Sequence, residues 1–304
     1  MGGGSLERRV VTLVPAATEI VAALGGSASL VGVSHECDYP PAVQQLPRLT
    51  GTRIDRAAPQ ALIDHEVRQL SAEGRPVIAV DGEALRRLAP DLIVTQGLCE
   101  VCALADGEVH RLARLLDPPP EIISLSATTL PGIWLDIRRI GDALGLADEA
   151  EELVLALESR LRRLGRSPLP GTPRVVCVEW LEPLYLAGHW VPELIAAAGG
   201  RDVGALPGAH SARQEWNDVA ALRPDVVLVA LCGFGVERAG RDLDALADAD
   251  LRAALRHAQV WLLDGNAYTS RPGPRVVDGA ERIRDALEGH EGPGLRRWKP
   301  GCAT

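Results

Sequence analysis

The sequence predicts an α/β protein of two similar lobes with mainly parallel sheets, joined by one long interlobe helix. Three observations carry this expectation. Arg9-Val10-Val11 opens an apolar run that passes through a helix and closes on Leu24-Gly25-Gly26, and Arg174-Val175-Val176 opens another that closes on Ala198-Gly199-Gly200. A second phrase, Leu88-Ala89-Pro90-Asp91-Leu92-Ile93-Val94, returns as Leu222-Arg223-Pro224-Asp225-Val226-Val227-Leu228. Between Leu130 and Leu164 the apolar spacing changes to that of a helix. Strands alternating with helices imply parallel sheets, so each lobe is Rossmann-like in plan.

Taken in order, Val10–Val14 is a short β-branched run and reads as a buried strand. Pro15 to Glu19 start a helix with Thr18 as a candidate cap, and Gly25-Gly26 stop it. Leu30–Val33 is the next strand and runs into the polar, proline-bearing loop Ser34–Pro41. Residues 57–75 read as helix, Val77–Val80 as strand, Glu83–Leu88 as helix, and Leu92–Thr95 and Ile122–Leu125 as strands. Ile133, Ile137, Ile140, Leu144, Leu153, Leu157, Leu161 and Leu164 then keep helical spacing, with Gly145 as a break or bend. If continuous, this helix is roughly 50 Å long at 1.5 Å per residue. The second lobe repeats the plan with strands near Val175–Val178, Val226–Ala230 and Val260–Leu263 and a closing helix over Pro274–Leu287. The expected divisions are a first lobe over 9–129, an interlobe helix over 130–166, a second lobe over 174–288 and a flexible, Gly/Pro-punctuated tail over 289–304.

Composition narrows the function classes. The 304 residues are 46% apolar and 24% charged, which suits a globular chain with ample core. Net charge is −9 with both signs interspersed, so no nucleic-acid footprint is present. No window approaches the roughly 18 apolar residues that cross a bilayer. Arg8-Arg9 before Val10–Val14 has the look of a short export signal, but Pro15 and Glu19 interrupt it and the run matches the internal repeat. A structural strand, a cytoplasmic setting and a monomer are therefore expected, with a periplasmic or extracellular setting if the true start lies upstream.

In open parallel sheets, ligands sit beyond the carboxyl ends of the strands. Only ten residues are Phe, Trp or Tyr, yet six of them fall in those loops: Tyr39, Trp180, Tyr185, Trp190, Phe234 and Tyr268. Aromatics placed there point to a flat or bulky, partly apolar small-molecule ligand. His35-x-Cys37 and Cys99-x-x-Cys102 lie in first-lobe loops, with His189 and Cys232 in second-lobe loops. Such groups suit a metal ion or an iron–sulfur cluster, direct contact with another ligand, or simple packing. Cys177 is mid-strand and reads as a small buried hydrophobe. No Gly-x-Gly-x-x-Gly, phosphate loop, nucleophile elbow or other catalytic constellation is present, so no enzyme is expected.

Val14-Pro15-Ala16-Ala17-Thr18-Glu19-Ile20, Val31-Gly32-Val33-Ser34 leading to Asp38-Tyr39-Pro40-Pro41, Leu88–Val94 and Arg271-Pro272-Gly273-Pro274-Arg275 resemble the class III periplasmic binding proteins. These are the cobalamin- and ferric-siderophore-binding components of bacterial ABC importers, and the likeness is greatest to the cobalamin-binding members. It runs from about Arg9 to Leu287. The resemblance implies a non-catalytic protein that holds a corrinoid, or a related metal chelate, in an interlobe cleft and serves an ABC permease if exported. It places ligand contacts in the loops Ser34–Tyr39, Trp180–Trp190 and Tyr268–Arg271, that is at His35, Glu36, Tyr39, Trp180, Tyr185, Trp190, Tyr268 and Arg271, and the strand-end loops add Pro15, Thr18 and Phe234 as candidate contacts. The chain departs from the pattern in its longer 53–82 segment and in His35, Cys37, Cys99 and Cys102, which are candidate metal ligands. The alternative reading is a cytoplasmic metal- or iron–sulfur-binding protein built on those Cys and His loops.

Overall fold

A computed structural model describes residues 8–97, 106–166, 169–246, 251 and 254–299. It divides the chain into two compact units, the first comprising Met1–Ala58, His65–Ala127 and Pro131–Val154 and the second Pro59–Asp64, Thr128–Leu130 and Leu155–Thr304. The first contains a four-stranded parallel sheet in the order β2-β1-β5-β6, formed by β1 (Val10–Thr12), β2 (Leu30–Val33), β5 (Leu92–Gln96) and β6 (Glu121–Leu125). Two further strands, β3 (Thr50–Thr52) and β4 (Ile78–Val80), make a separate antiparallel pair. Helix α1 (Pro15–Ala23) begins with proline at its first position, where the missing N–H costs nothing. The cap expected at Thr18 is not one: Val14 holds the cap position and makes no side-chain bond. Helices α2 (Gln60–Ala72), α3 (Gly82–Leu88) and α4 (Asp106–Ala113) follow. Val11, Leu13, Leu49, Leu85, Ile93 and Val109 close a core on one face of the sheet.

The helical connector is two helices, α5 (Leu130–Leu144) and α6 (Ala147–Leu164). Gly145, at φ +71°, turns the chain between them, so the 50 Å rod expected from spacing alone is divided. The boundary between the units falls inside α6, after Val154. Arg160 of α6 donates to Asp278 at 2.6 Å and to both oxygens of Glu281, fastening the end of α6 to a later helix of the second unit.

The second unit's sheet has the order β10-β8-β7-β11-β12-β13, with β9 pairing the start of β7. Its strands are β7 (Arg174–Leu181), β8 (Leu184–Leu186), β9 (Arg201–Asp202), β10 (Ala212–Arg213), β11 (Val226–Val229), β12 (Gln259–Leu263) and β13 (Leu295–Arg297). β7, β9, β11 and β12 are parallel, whereas β8, β10 and β13 are antiparallel additions at the edges. Helices α7 (Val191–Ala197), α8 (Trp216–Leu222), α9 (Val236–Ala245), α10 (Gly265–Tyr268) and α11 (Val276–Glu288) are among those that flank it. Within the expected flexible tail over 289–304, of which residues 300–304 lie outside the described residues, β13 is ordered into the sheet. Leu295 is buried, and residues 295–297 pair with β12 despite the flanking glycines.

The repeated phrases meet in space. In the first unit the Arg9 N–H donates to Asp91 Oδ2 at 2.8 Å, the Asp91 N–H donates to the Arg9 carbonyl, and the Arg9 guanidinium donates twice to the Leu88 carbonyl. In the second, the Arg174 N–H donates to Asp225 Oδ2 at 2.7 Å, the Asp225 N–H to the Arg174 carbonyl, and the guanidinium to the carbonyls of Leu222 and Arg223. Each Leu-x-Pro-Asp is thus a helix stop and a strand start in one. The x residue, Ala89 or Arg223, is left-handed (φ 40° and 47°), proline forbids continuation, and the arginine satisfies orphaned helix carbonyls. Gly200 is needed for a close approach, since a Cβ there would lie 2.9 Å from Val175 Cγ2.

Candidate functional site

At the carboxyl ends of β1 and β2 the first unit builds a polar network. Thr18 is fully buried, with its hydroxyl 2.7 Å from Thr12 Oγ1 and 3.0 Å from the Sγ of buried Cys37. Thr50 of β3 takes the backbone N–H of His35 at 2.9 Å, lies 2.6 Å from His35 Nδ1 and shares a bond with Ser34 Oγ. Arg48 donates to the carbonyls of Ser34 and Cys37, which curls residues 34–37 into a fixed loop. His35 Nε2 is buried with no hydrogen-bond partner among the described residues. Burial holds this imidazole below its ordinary range, against the pull of Glu36 and with help from Arg56 and Arg48. Glu36 pairs with Arg56 at 3.1 Å, and Tyr39 is 45% exposed at the loop's end. Pro15 starts α1 beside this network.

The geometry revises several sequence-based assignments. Thr18 and Cys37 bond to each other in the interior, so they brace the loop and are not turned to a ligand surface. Cys99 and Cys102 lie outside the described residues, and the metal site proposed from them with His35 and Cys37 has no further support. Among the described residues, the one His/Cys/Asp/Glu group close enough for an ion is Asp285, Glu288 and His290 at the end of α11. Its carboxylates are already committed to Arg282 and Arg284.

The second unit presents aromatics instead. A register shift in β7 between Val178 and Trp180 sets Trp180 opposite Tyr185 of β8, while Leu181 and Leu184 pair toward the core. Phe234, from the loop after β11, lies 5.9 Å from the Trp180 ring at a tilt of 39°. Arg238 sits 5.0 Å over Phe234 and pairs with Asp242 at 2.7 Å. Gln60, at the start of α2, accepts from the Leu181 N–H at 2.8 Å and donates to Asp242 at 2.7 Å. Its role was invisible in the sequence, because a lone glutamine carries no signal of a partner 121 positions away.

The other predicted contacts each have neighbours of their own within the second unit. Trp190 is buried and donates to the Thr269 carbonyl at 3.1 Å. Arg271 is buried and donates to Asn266 Oδ1 at 2.9 Å. Tyr268 lies against Gly294, and burial, with Asp264, raises its phenol above the usual range. Ser270 Oγ accepts from the Gly233 N–H, so the loops after β11 and β12 are tied together. His189, at φ 54°, stands 5.3 Å edge-on to His210, and burial, then His210, lower its pKa. Cys232 is exposed.

Each unit carries its functional candidates at the carboxyl ends of its parallel strands, which is where open α/β sheets bind ligands. Residues 10–267 match the periplasmic binding protein family, and the chain belongs to it. Among proteins it is similar to, the Vitamin B12-binding protein of Vibrio cholerae serotype O1 is 24% identical over 281 residues, covering 90% of this chain and 87% of that one. An uncharacterized ABC transporter substrate-binding lipoprotein, YvrC of Bacillus subtilis, is 22% identical over 292 residues, covering 92% and 80%. The crystal structure of the periplasmic vitamin B12 binding protein BtuF of Vibrio cholerae has a TM-score of 0.65 at 22% identity, over 92% of this chain and 96% of that one. That of the periplasmic heme binding protein HutB of the same species has a TM-score of 0.66 at 20% identity, over 92% and 99%. At such identities the structural likeness shows the fold.

Family membership corrects the expectation of a cytoplasmic chain. These relatives are periplasmic proteins or lipoproteins, which points to a periplasmic setting. The run Val10–Val14 does form a strand, β1 (Val10–Thr12), but a strand there does not decide the compartment. No helix among the described residues is long and apolar enough to cross a membrane.

Proposed function

We propose that the chain is a non-catalytic substrate-binding protein of the ABC-importer type, which takes up a corrinoid or a related planar metal chelate and presents it to a permease. The single observation that carries the ligand class is the half-exposed Trp180–Phe234 pair with Tyr185 beside it. Three aromatics at the carboxyl edge of one sheet make a platform for a flat macrocycle, whose faces are apolar and whose rim is polar. The names of the B12-binding and haem-binding relatives support the same class. The periplasmic B12-binding relative supports a periplasmic setting, and the ABC transporter substrate-binding relative supports a permease partner.

The test is a titration of the purified protein with cobalamin, cobinamide and haem, followed by visible absorbance and tryptophan fluorescence. Saturable binding of at least one is expected, and Trp180→Ala with Phe234→Ala should weaken it by about tenfold or more, as loss of aromatic contact and apolar area implies. Binding of none of the three would overturn the reading.

A further inference from the structure

The register of the second sheet carries one step more, and it rests on the reading just given. Trp180 of β7 pairs with Tyr185 of β8, and Tyr185 pairs in turn with Arg213 of β10. Directly paired residues project from the same face of a sheet, so these three side chains form one row. The intervening partners confirm the parity: Leu184 and Leu186, flanking Tyr185, both enter the core on the other face. Arg213 is exposed, on an edge strand of two residues, and its guanidinium has no hydrogen-bond or ion-pair partner among the described residues. Its contrast is Arg238 at the Phe234 end of the same row, which is paired with Asp242 and half buried in that pairing. One end of the aromatic row is therefore electrically closed, while the other ends in an available guanidinium.

We propose that Arg213 is a specificity residue, which recognises an anionic substituent on the rim of the flat ligand lying along the Trp180–Tyr185 row. Two strand spacings, about 9.5 Å, separate the backbones of Trp180 and Arg213. That is the scale from the middle of a tetrapyrrole-sized ring to a group beyond its edge. A guanidinium at that place offers a forked pair of donors suited to a phosphodiester or a carboxylate. The two chemical sources are the phosphate of a corrinoid's nucleotide tail and the carboxylates of a porphyrin.

The experiment compares wild type, Arg213→Gln and Arg213→Lys with two matched ligand pairs at low and high salt. Cobalamin against cobinamide differs by the nucleotide tail with its phosphodiester, and haem against its dimethyl ester differs by the carboxylates. Wild type is expected to prefer the anionic member of whichever pair it binds, by about five- to tenfold and less so at high salt. Arg213→Gln should abolish that preference and its salt dependence while leaving affinity for the neutral member unchanged. Arg213→Lys should restore the salt-dependent part. Equal losses for both members of a pair, or an unchanged preference in Arg213→Gln, would overturn the inference while leaving the binding function standing. No binding of either pair by wild type would overturn the function itself.

Discussion

The two units are alike at the amino ends of their strands and unlike at the carboxyl ends. Arg9 with Asp91 and Arg174 with Asp225 make the same backbone-to-carboxylate lock, down to the guanidinium on the preceding helix carbonyls. At the other ends, the first unit sets hydroxyls, an imidazole and a thiol into one network, while the second sets Trp180, Tyr185 and Phe234 into a row. The lock involves only residues that begin strands and end helices, so it is a requirement of the fold. The carboxyl ends can differ because backbone pairing does not depend on them. The difference separates what a duplicated α/β unit needs from what it is used for.

The largest expected departure from equivalence lies in β9. Asp202 pairs with Val175, where the matching position of the first unit, opposite Val10, is Leu30. Asp202 Oδ1 accepts the N–H groups of Gly204 and Ala205, but Oδ2 is buried without a partner among the described residues. Burial, only partly offset by those two bonds, raises its pKa from 3.8 to about 6. An acid with a raised native pKa stabilises the fold while protonated, so its contribution is complete below about 3.8 and is lost as pH rises through about 6. Asp202→Asn keeps the acceptor and removes the charge. It is expected to raise stability by up to about 3 kcal/mol at pH 8 and to change nothing near pH 3.5. Denaturation midpoints across that range check it, and a pH-independent effect would show that Asp202 is solvated in the native state.

A smaller difference separates two buried thiols. Cys177 is sealed in β7, its pKa held well above the ordinary value by burial, whereas Cys37 Sγ touches a hydroxyl. Cys177→Ser places a polar group among apolar neighbours and should cost about 1–2 kcal/mol. Cys37→Ser substitutes one hydrogen-bonding atom for another beside Thr18 and should cost less than half as much. Thiol labelling of the native protein should reach Cys232 and spare both, as read by peptide mass spectrometry. Equal costs for the two substitutions would mean that the Thr18–Cys37 contact has no energetic content.

Much of this architecture was legible because its signals are local. Gly25-Gly26 and Leu88–Asp91 announce a helix stop and a strand start within a few residues, and their copies near Gly199 and Leu222 do the same. Pro15 was rightly placed at the head of a helix, yet Thr18 drew the cap assignment because a buried threonine reads like a capping one. What escaped was set by distant pairing. β3, β8 and β10 have two or three residues each and no periodicity to detect, so Thr50 under His35 and Arg213 beside Tyr185 could not be anticipated. β13 was hidden by the glycines around it. The six strand-end aromatics look alike in the sequence, but Trp190 bonds the Thr269 carbonyl and Tyr268 lies against Gly294, and such contacts are set by pairing that no local pattern announces.

The smallest expected effect tests the likeness itself. If the two locks are the same device, Asp91→Ala and Asp225→Ala should each cost about 1 kcal/mol, because each removes one acceptor from a strand-opening N–H that water can partly replace. Global unfolding of a protein with two compact units does not apportion such a cost cleanly. Hydrogen exchange at the amides of Arg9 and Arg174 does, since each reports the opening of its own corner. Protection at Arg9 should fall about fivefold in Asp91→Ala and be unchanged in Asp225→Ala, with the converse at Arg174, as about 1 kcal/mol implies. Unequal losses would mean that one carboxylate has acquired a second task. The first to suspect would be Asp225, whose carbonyl also receives the Gln259 N–H at the start of β12, although Asp91 does the same for Glu121 of β6. That shared bond is the reason equality is expected: each aspartate links its own strand to two neighbours, one through its side chain and backbone N–H together and the other through its backbone carbonyl.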